Sequence, residues 1–143
     1  ITWQQSHYKK PEQWSTDPTV QAEKQMFRTP NSYGYLTSTI TPINHFSASI
    51  SGTYTGSMLV QHHIGSGVNK DVAVNTPDFV DVNLKLSYEF PLYDEVKLEL
   101  SGGIQNLFNA YQKDFDKGKD RDSGYIYGPS LPRSYFGGIK LLF

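Results

Sequence analysis

The sequence predicts an all-β fold: an antiparallel transmembrane β-barrel segment of about five or six up-and-down strands. Three observations predict it. Apolar and polar residues alternate with period two over long stretches, short and long connections alternate between those stretches, and the stretches are long enough to cross an apolar band when tilted. Amphipathic strands also build soluble sandwiches, in which the apolar face is core and the charged face meets solvent. The loop alternation, the strand length and the terminal Phe143 favour the barrel.

Each strand can be justified in turn. Ile1 to Tyr8 reads as the end of one strand, and Tyr33 to Thr41 as another with less distinct faces. From Phe46 to Val60, Phe46, Ala48, Ile50, Gly52, Tyr54, Gly56, Met58 and Val60 oppose a face of Ser, Thr and His. Val80 to Phe90 alternates without a miss: Val80, Val82, Leu84, Leu86, Tyr88 and Phe90 stand against Asp81, Asn83, Lys85, Ser87 and Glu89. Val96, Leu98, Leu100, Gly102 and Ile104 repeat the pattern. Tyr135, Gly137, Ile139, Leu141 and Phe143 close it, against Ser134, Gly138 and Lys140. Pro42, Ile43 and Asn44 form one tight turn, and Pro91 to Glu95 another. Lys9 to Asn31, His63 to Asp78 and Ala110 to Pro132 are expected as long outer loops without strands of their own. Tyr88, Phe90, Tyr93 and Phe143 would line one membrane rim, and Phe108, Tyr111 and Tyr135 the other. Fewer than eight strands cannot close a membrane barrel, so the chain reads as part of one.

Composition narrows the function. The chain has 143 residues, and thirteen basic against fourteen acidic groups give a net charge of -1. No global field recruits nucleic acid, and no nucleic-acid partner is expected. The absence of cysteine excludes disulfides, thiol catalysis and thiolate zinc sites. No apolar run approaches the ~20 residues of a membrane helix.

The last forty residues resemble a known family. Gly102-Gly103-Ile104-Gln105-Asn106-Leu107-Phe108-Asn109 is similar to the penultimate strand of TonB-dependent outer-membrane receptors. Pro132-Arg133 followed by Ser134 to Phe143 resembles that family's last strand. Tyr33 to Val60, with Thr41-Pro42-Ile43-Asn44 at its turn, is similar to the preceding hairpin in a style associated with Bacteroidetes receptors. The resemblance implies a 22-stranded barrel around a plug domain, located in the cell outer membrane. It implies import of a scarce nutrient such as an iron-siderophore, haem or cobalamin, with no resident cofactor. Residues 1–143 would be its C-terminal part, without the plug, as a fragment or one piece of a nicked receptor. The partners implied are the TonB complex acting through the missing plug, the remaining barrel and plug, the barrel-assembly machinery and a surface lipoprotein. Phe143 would be the assembly signal, as outer-membrane proteins commonly end in Phe. The alternative is a soluble β-sandwich module binding carbohydrate or protein, and a third class is a passive pore.

Few residues point to chemistry. His62 and His63 are adjacent on a strand and so face opposite ways, which works against joint chelation; His45 and His7 lie elsewhere. A rim position bonded to solvent is the expectation for the pair. Asp114, Asp116, Asp120 and Asp122 alternate with other residues around Gly118, but Lys117 stands where a calcium-loop ligand is needed. No nucleophile–base–acid constellation is present, and no enzyme is expected. Tyr8, Trp14, Phe115, Tyr125 and Tyr127 lie in outer loops. They are the candidates to stack on a sugar, catechol or macrocycle, or else pack the loops together.

Overall fold

The computed structural model describes residues 1–143, and every regular element in it is a strand. In chain order these are β1 (Thr2–Trp3), β2 (His7–Glu12), β3 (Glu23–Gln25), β4 (Ser32–Ile43), β5 (Phe46–Thr55), β6 (Leu59–His62), β7 (Val72–Asn75), β8 (Phe79–Tyr93), β9 (Val96–Gln105) and β10 (Ser134–Leu142). One six-stranded sheet has the order β1-β4-β5-β8-β9-β10; β2 with β3 and β6 with β7 form two-stranded sheets.

The sheet is open. Strands β1 and β10 are its two edges and do not pair with each other. The expectation of a transmembrane barrel segment is therefore corrected: antiparallel strands are present, and closure is not. The physical reason is hydrogen bonding. An open edge presents N–H and C=O groups that hydrocarbon cannot satisfy, so an unclosed sheet does not suit a bilayer. The resemblance to TonB-dependent receptors falls with the barrel. So do the outer-membrane location and the import of siderophore iron, haem or cobalamin. The TonB complex, the remaining barrel and plug, the barrel-assembly machinery and the surface lipoprotein are no longer implied as partners. Separately, no helix is long and apolar enough to cross a membrane.

The chain divides into two compact units. The first comprises Ile1–Gly34, Tyr54–Phe79 and Tyr111–Ser130; the second comprises Tyr35–Thr53, Val80–Ala110 and Leu131–Phe143.

The first unit differs most from the sequence expectation. Two of the long loops fold, one as β2 and β3, the other contributing β7 to the β6–β7 hairpin. The strand expected from Phe46 to Val60 breaks at Gly56–Met58. There the Gly56 amide donates to Ser32 O, and a Cβ at Gly56 would collide with the Ser32 hydroxyl and the Asn31 side chain. Beyond the break the chain changes partner: Thr76 N donates to Met58 O at 2.9 Å, and Val60 pairs with Val74. Leu59, Val60, Phe79 and Tyr125 are the buried apolar residues of the whole chain, and all four lie in this unit.

The second unit is a meander of antiparallel strands close to expectation. Its turns are tighter than predicted: Asn44-His45 joins β4 to β5, and Asp94-Glu95 joins β8 to β9. His45 (φ 66°) and Asp94 (φ 54°) take the left-handed conformation such turns need. Register aligns the alternation across strands. Tyr88, Leu100 and Ile139 stand side by side, as do Phe90, Leu98 and Leu141. Residues directly opposite in a sheet share a face, so the apolar stripes of β8, β9 and β10 merge into one surface.

The other face is polar and largely bonded within itself, though Asp81 Oδ1 is buried without a partner. Ser47 and Ser87 hydroxyls lie 2.7 Å apart, and Thr39 and Ser49 hydroxyls 2.8 Å apart. Lys85 pairs with Glu99 at 3.8 Å and Lys97 with Glu89 at 3.6 Å. Phe136 also belongs to this face, and the alternation did not single it out. The Phe136 ring covers Gly103 so closely that a Cβ there would strike it. An aromatic side chain laid over a cross-strand glycine restores the packing the glycine lacks.

Candidate functional site

Two features could carry function, one in each unit. In the first unit, the segment from Tyr111 to Ser130 is tied down by carboxylates. The Tyr125 side chain is 2 % exposed and stacks on the His62 ring, with centroids 3.7 Å apart and planes at 4°. Its hydroxyl donates to Asp114 Oδ2 at 2.9 Å, and the Tyr127 hydroxyl donates to Asp114 Oδ1. Gln112 bridges the same strip, donating from Nε2 to Tyr125 O at 3.1 Å and accepting the Tyr127 amide at Oε1 at 2.9 Å. His62 Nε2 lies 3.0 Å from Asp116 Oδ1, while Asp116 Oδ2 accepts the Asp122 amide at 3.0 Å. A Cβ at Gly67 would collide with the Asp116 carboxylate, so only glycine lets the backbone pass there.

A third carboxylate gathers the other loop. Asp71 accepts from the Ser15 hydroxyl at 2.6 Å and the Ile64 amide at 2.8 Å, with His63 Nδ1 at 3.3 Å. His62 and His63 thus diverge, as adjacent strand residues must, one to Asp116 and the other to Asp71. His62 does not sit at a solvated rim; it is buried in a pair. No group of three or more potential metal ligands is assembled in the chain. Within the Asp114–Asp122 stretch, Asp114 takes the Tyr125 and Tyr127 hydroxyls, Asp116 the His62 ring and the Asp122 amide, and Asp122 the His63 and Gly124 amides.

Among the candidate ligand contacts, three are engaged in packing. Tyr125 is buried, Tyr127 is held by Asp114, and Trp14 packs edge-on against Phe27 at 5.3 Å while its indole N–H donates to Gln21 O. Phe115 remains open at 45 % exposure, with Lys117 Nζ 5.7 Å from its centroid. Tyr8 lies in β2 and His7 pairs with Gln25 across β2–β3. His45 sits in a turn of the second unit, 6.4 Å from the Tyr88 ring. Phe143 stands just past the end of β10 and is 90 % exposed.

The polar anchors have a pH signature. Asp116 and Asp71 titrate below the ordinary carboxylate value, Asp116 chiefly through the Asp122 amide and Asp71 chiefly through the Ser15 hydroxyl. Burial works to raise Asp114, but its hydrogen bonds, led by those from the Tyr127 and Tyr125 hydroxyls, hold this group low as well. A carboxyl that is more acidic in the folded state binds fewer protons there than when unfolded. Its stabilisation is complete above the unfolded value of about 4 and is lost as pH falls through the lowered folded value. Tyr125 acts in the opposite sense. Burial and the nearby Asp114 push it up to about 12, so its contribution is complete below about pH 10 and fades between there and about 12. Tyrosine fluorescence and tyrosinate absorbance across a pH series should show two separate losses of order. A single transition near neutrality would contradict this assignment.

The second feature is the apolar sheet face. Ile139 is 77 % and Tyr135 72 % exposed, and Leu86, Phe90, Leu100 and Leu141 are also exposed. The contacts between Ser47 and Ser87 and between Thr39 and Ser49 fix which face is polar, so Ile50 and Ile40 fall on the apolar one. Both are exposed. The alternation marked this face as the one to be covered, and these side chains are exposed.

No match came from a scan against protein-family models, a search of curated proteins or a search of solved structures.

The face therefore has to be judged on its chemistry. Monomers rarely expose contiguous apolar patches beyond a few hundred Å², and none of the chain's buried apolar residues lies in the meander. Most polar residues of this sheet already bond one another, Asp81 and Lys140 excepted, and the apolar side is the surface with the most free energy to gain on contact. Sequence reasoning identified these residues by their period. It assigned them the wrong covering.

Proposed function

We propose that the chain is a protein-binding module whose apolar sheet face docks against a partner polypeptide. The observation that carries this is the register-aligned apolar surface of β8, β9 and β10, exposed from Leu86 to Leu141. Covering half a dozen such side chains is worth on the order of 10 kcal/mol before the costs of association. A carbohydrate-binding reading has less support. It needs open aromatic platforms with free polar neighbours, whereas Trp14, Tyr125 and Tyr127 are committed to internal contacts. The module needs no catalytic group of its own.

Site-directed photocrosslinking in the cell that makes the chain tests the proposal. A photoreactive phenylalanine analogue replaces Tyr88 or Ile139 on the apolar face, or Ser47 or Ser87 on the polar face. The apolar positions should capture one defined protein and the polar positions should not. Ile139→Lys should leave the stability of the isolated chain within about 0.5 kcal/mol, because the side chain is already exposed. It should also reduce capture from Tyr88 tenfold or more. Capture of lipid alone, or equal capture from both faces, would overturn the reading.

A further inference from the structure

We propose that the partner adds an extended strand to the free edge of β10 and places a carboxylate beside Lys140. The inference deepens the docking reading above and rests on it. Strand β10 pairs with β9 in unbroken register from Ser134 to Leu142, and no strand of the chain pairs with its other side. Along nine residues it presents unpaired main-chain donors and acceptors at the spacing of a β-ladder, which only another polypeptide backbone can match throughout. The middle of the strand, Gly137-Gly138, carries no side chain to obstruct an approaching backbone, and β10 contains no proline.

Charge then selects the strand. On the polar face Lys85 takes Glu99 and Lys97 takes Glu89. Lys140 stands opposite Glu99 in the register but makes no ion pair, since Glu99 is held from the other side. One positive charge is therefore left over at the edge where a new strand would lie. A cross-strand carboxylate compensates it, whereas a like charge there is unfavourable. The matching segment alternates apolar residues, continuing the stripe through Tyr135, Ile139 and Leu141, with polar residues that include an Asp or Glu. A single edge lysine is also a known device for discouraging strand addition, and the two roles predict opposite effects of its removal.

Two synthetic nine-residue peptides separate them: Thr-Val-Thr-Val-Glu-Val-Thr-Val-Thr, and the same peptide with Lys at its centre. Each reads identically in both directions, so parallel and antiparallel addition are both sampled. Binding to the full chain is followed by anisotropy at low salt and by hydrogen exchange. The Glu peptide should slow exchange of the β10 amides and bind roughly fivefold tighter than the Lys peptide. Lys140→Glu should invert the preference, and Ile139→Lys should weaken both peptides alike. Tighter binding of both peptides to Lys140→Ala would make Lys140 a guard and overturn the carboxylate inference. If neither peptide protects β10 while Tyr88 and Ile139 still crosslink to a protein, strand addition fails and the docking face stands. Loss of those crosslinks as well would remove the reading on which the inference rests.

Discussion

Tyr125→Ala is expected to destabilise the first unit by about 3–5 kcal/mol, the range for removing a buried aromatic ring. The ring is nearly inaccessible and stacks face to face on His62, with Tyr127 edge-on at 5.4 Å. Its removal opens a cavity and also takes from His62 the surface that holds it against Asp116. Tyr125→Phe keeps the stack and loses only the hydroxyl bond to Asp114, so it should cost about 1 kcal/mol. Urea unfolding followed by tyrosine fluorescence measures both. Equal losses for the two variants would mean that the hydroxyl, not the ring, organises the cluster.

Asn106→Ala should be about as damaging to the second unit, at about 3–5 kcal/mol, for a different reason. Asn106 is 4 % exposed and takes φ 50°, a conformation Asn tolerates better than Ala. Its amide donates to Ala110 O at 2.8 Å and Leu131 O at 2.9 Å, and its Oδ1 accepts the Ala110 amide at 2.8 Å. Alanine removes all three bonds and keeps the strained backbone. Asn106→Gly relieves the backbone while losing the same bonds, so it should fall below the alanine variant in cost. Thermal unfolding of the three proteins separates strain from bonding, and a glycine variant worse than alanine would refute the conformational part.

This assigns a local role to the Asn106-Leu107-Phe108-Asn109 stretch. Asn109 also takes a left-handed φ of 52°, and its Oδ1 accepts the Arg133 amide at 2.9 Å. The two asparagines end β9 and fasten the chain ahead of β10. A turn of this kind needs residues that tolerate positive φ and can bond the backbone, whatever the wider architecture. The same motif therefore serves an open sheet as readily as a barrel's strand ending.

Several features were legible from residues alone. The alternation located β5, β8, β9 and β10 and divided their faces correctly, as the contacts between Ser47 and Ser87 and between Lys85 and Glu99 attest. The adjacency of His62 and His63 correctly implied that they diverge. Other features left no sequence signal. The strands β2, β3, β6 and β7 are six residues long or shorter, too brief for a period to stand out. The pairing of His62 with Asp116 spans 54 positions, and no local pattern announces it. Phe136 gave no local signal of its role, because the glycine it covers lies on β9.

By itself the sequence determined that this protein is built from antiparallel amphipathic strands, where its tight turns fall, and which side chains share a face. These are local consequences of a two-residue repeat and of turn chemistry. Only the tertiary structure decided that the sheet stays open, that the loops fold on the carboxylates of Asp71, Asp114 and Asp116, and that the apolar face is left exposed. A period-two pattern is the same whether its apolar side meets a core, a lipid or a partner. Closure and covering depend on which distant segments come to lie beside that face, and no alternation within a strand encodes them.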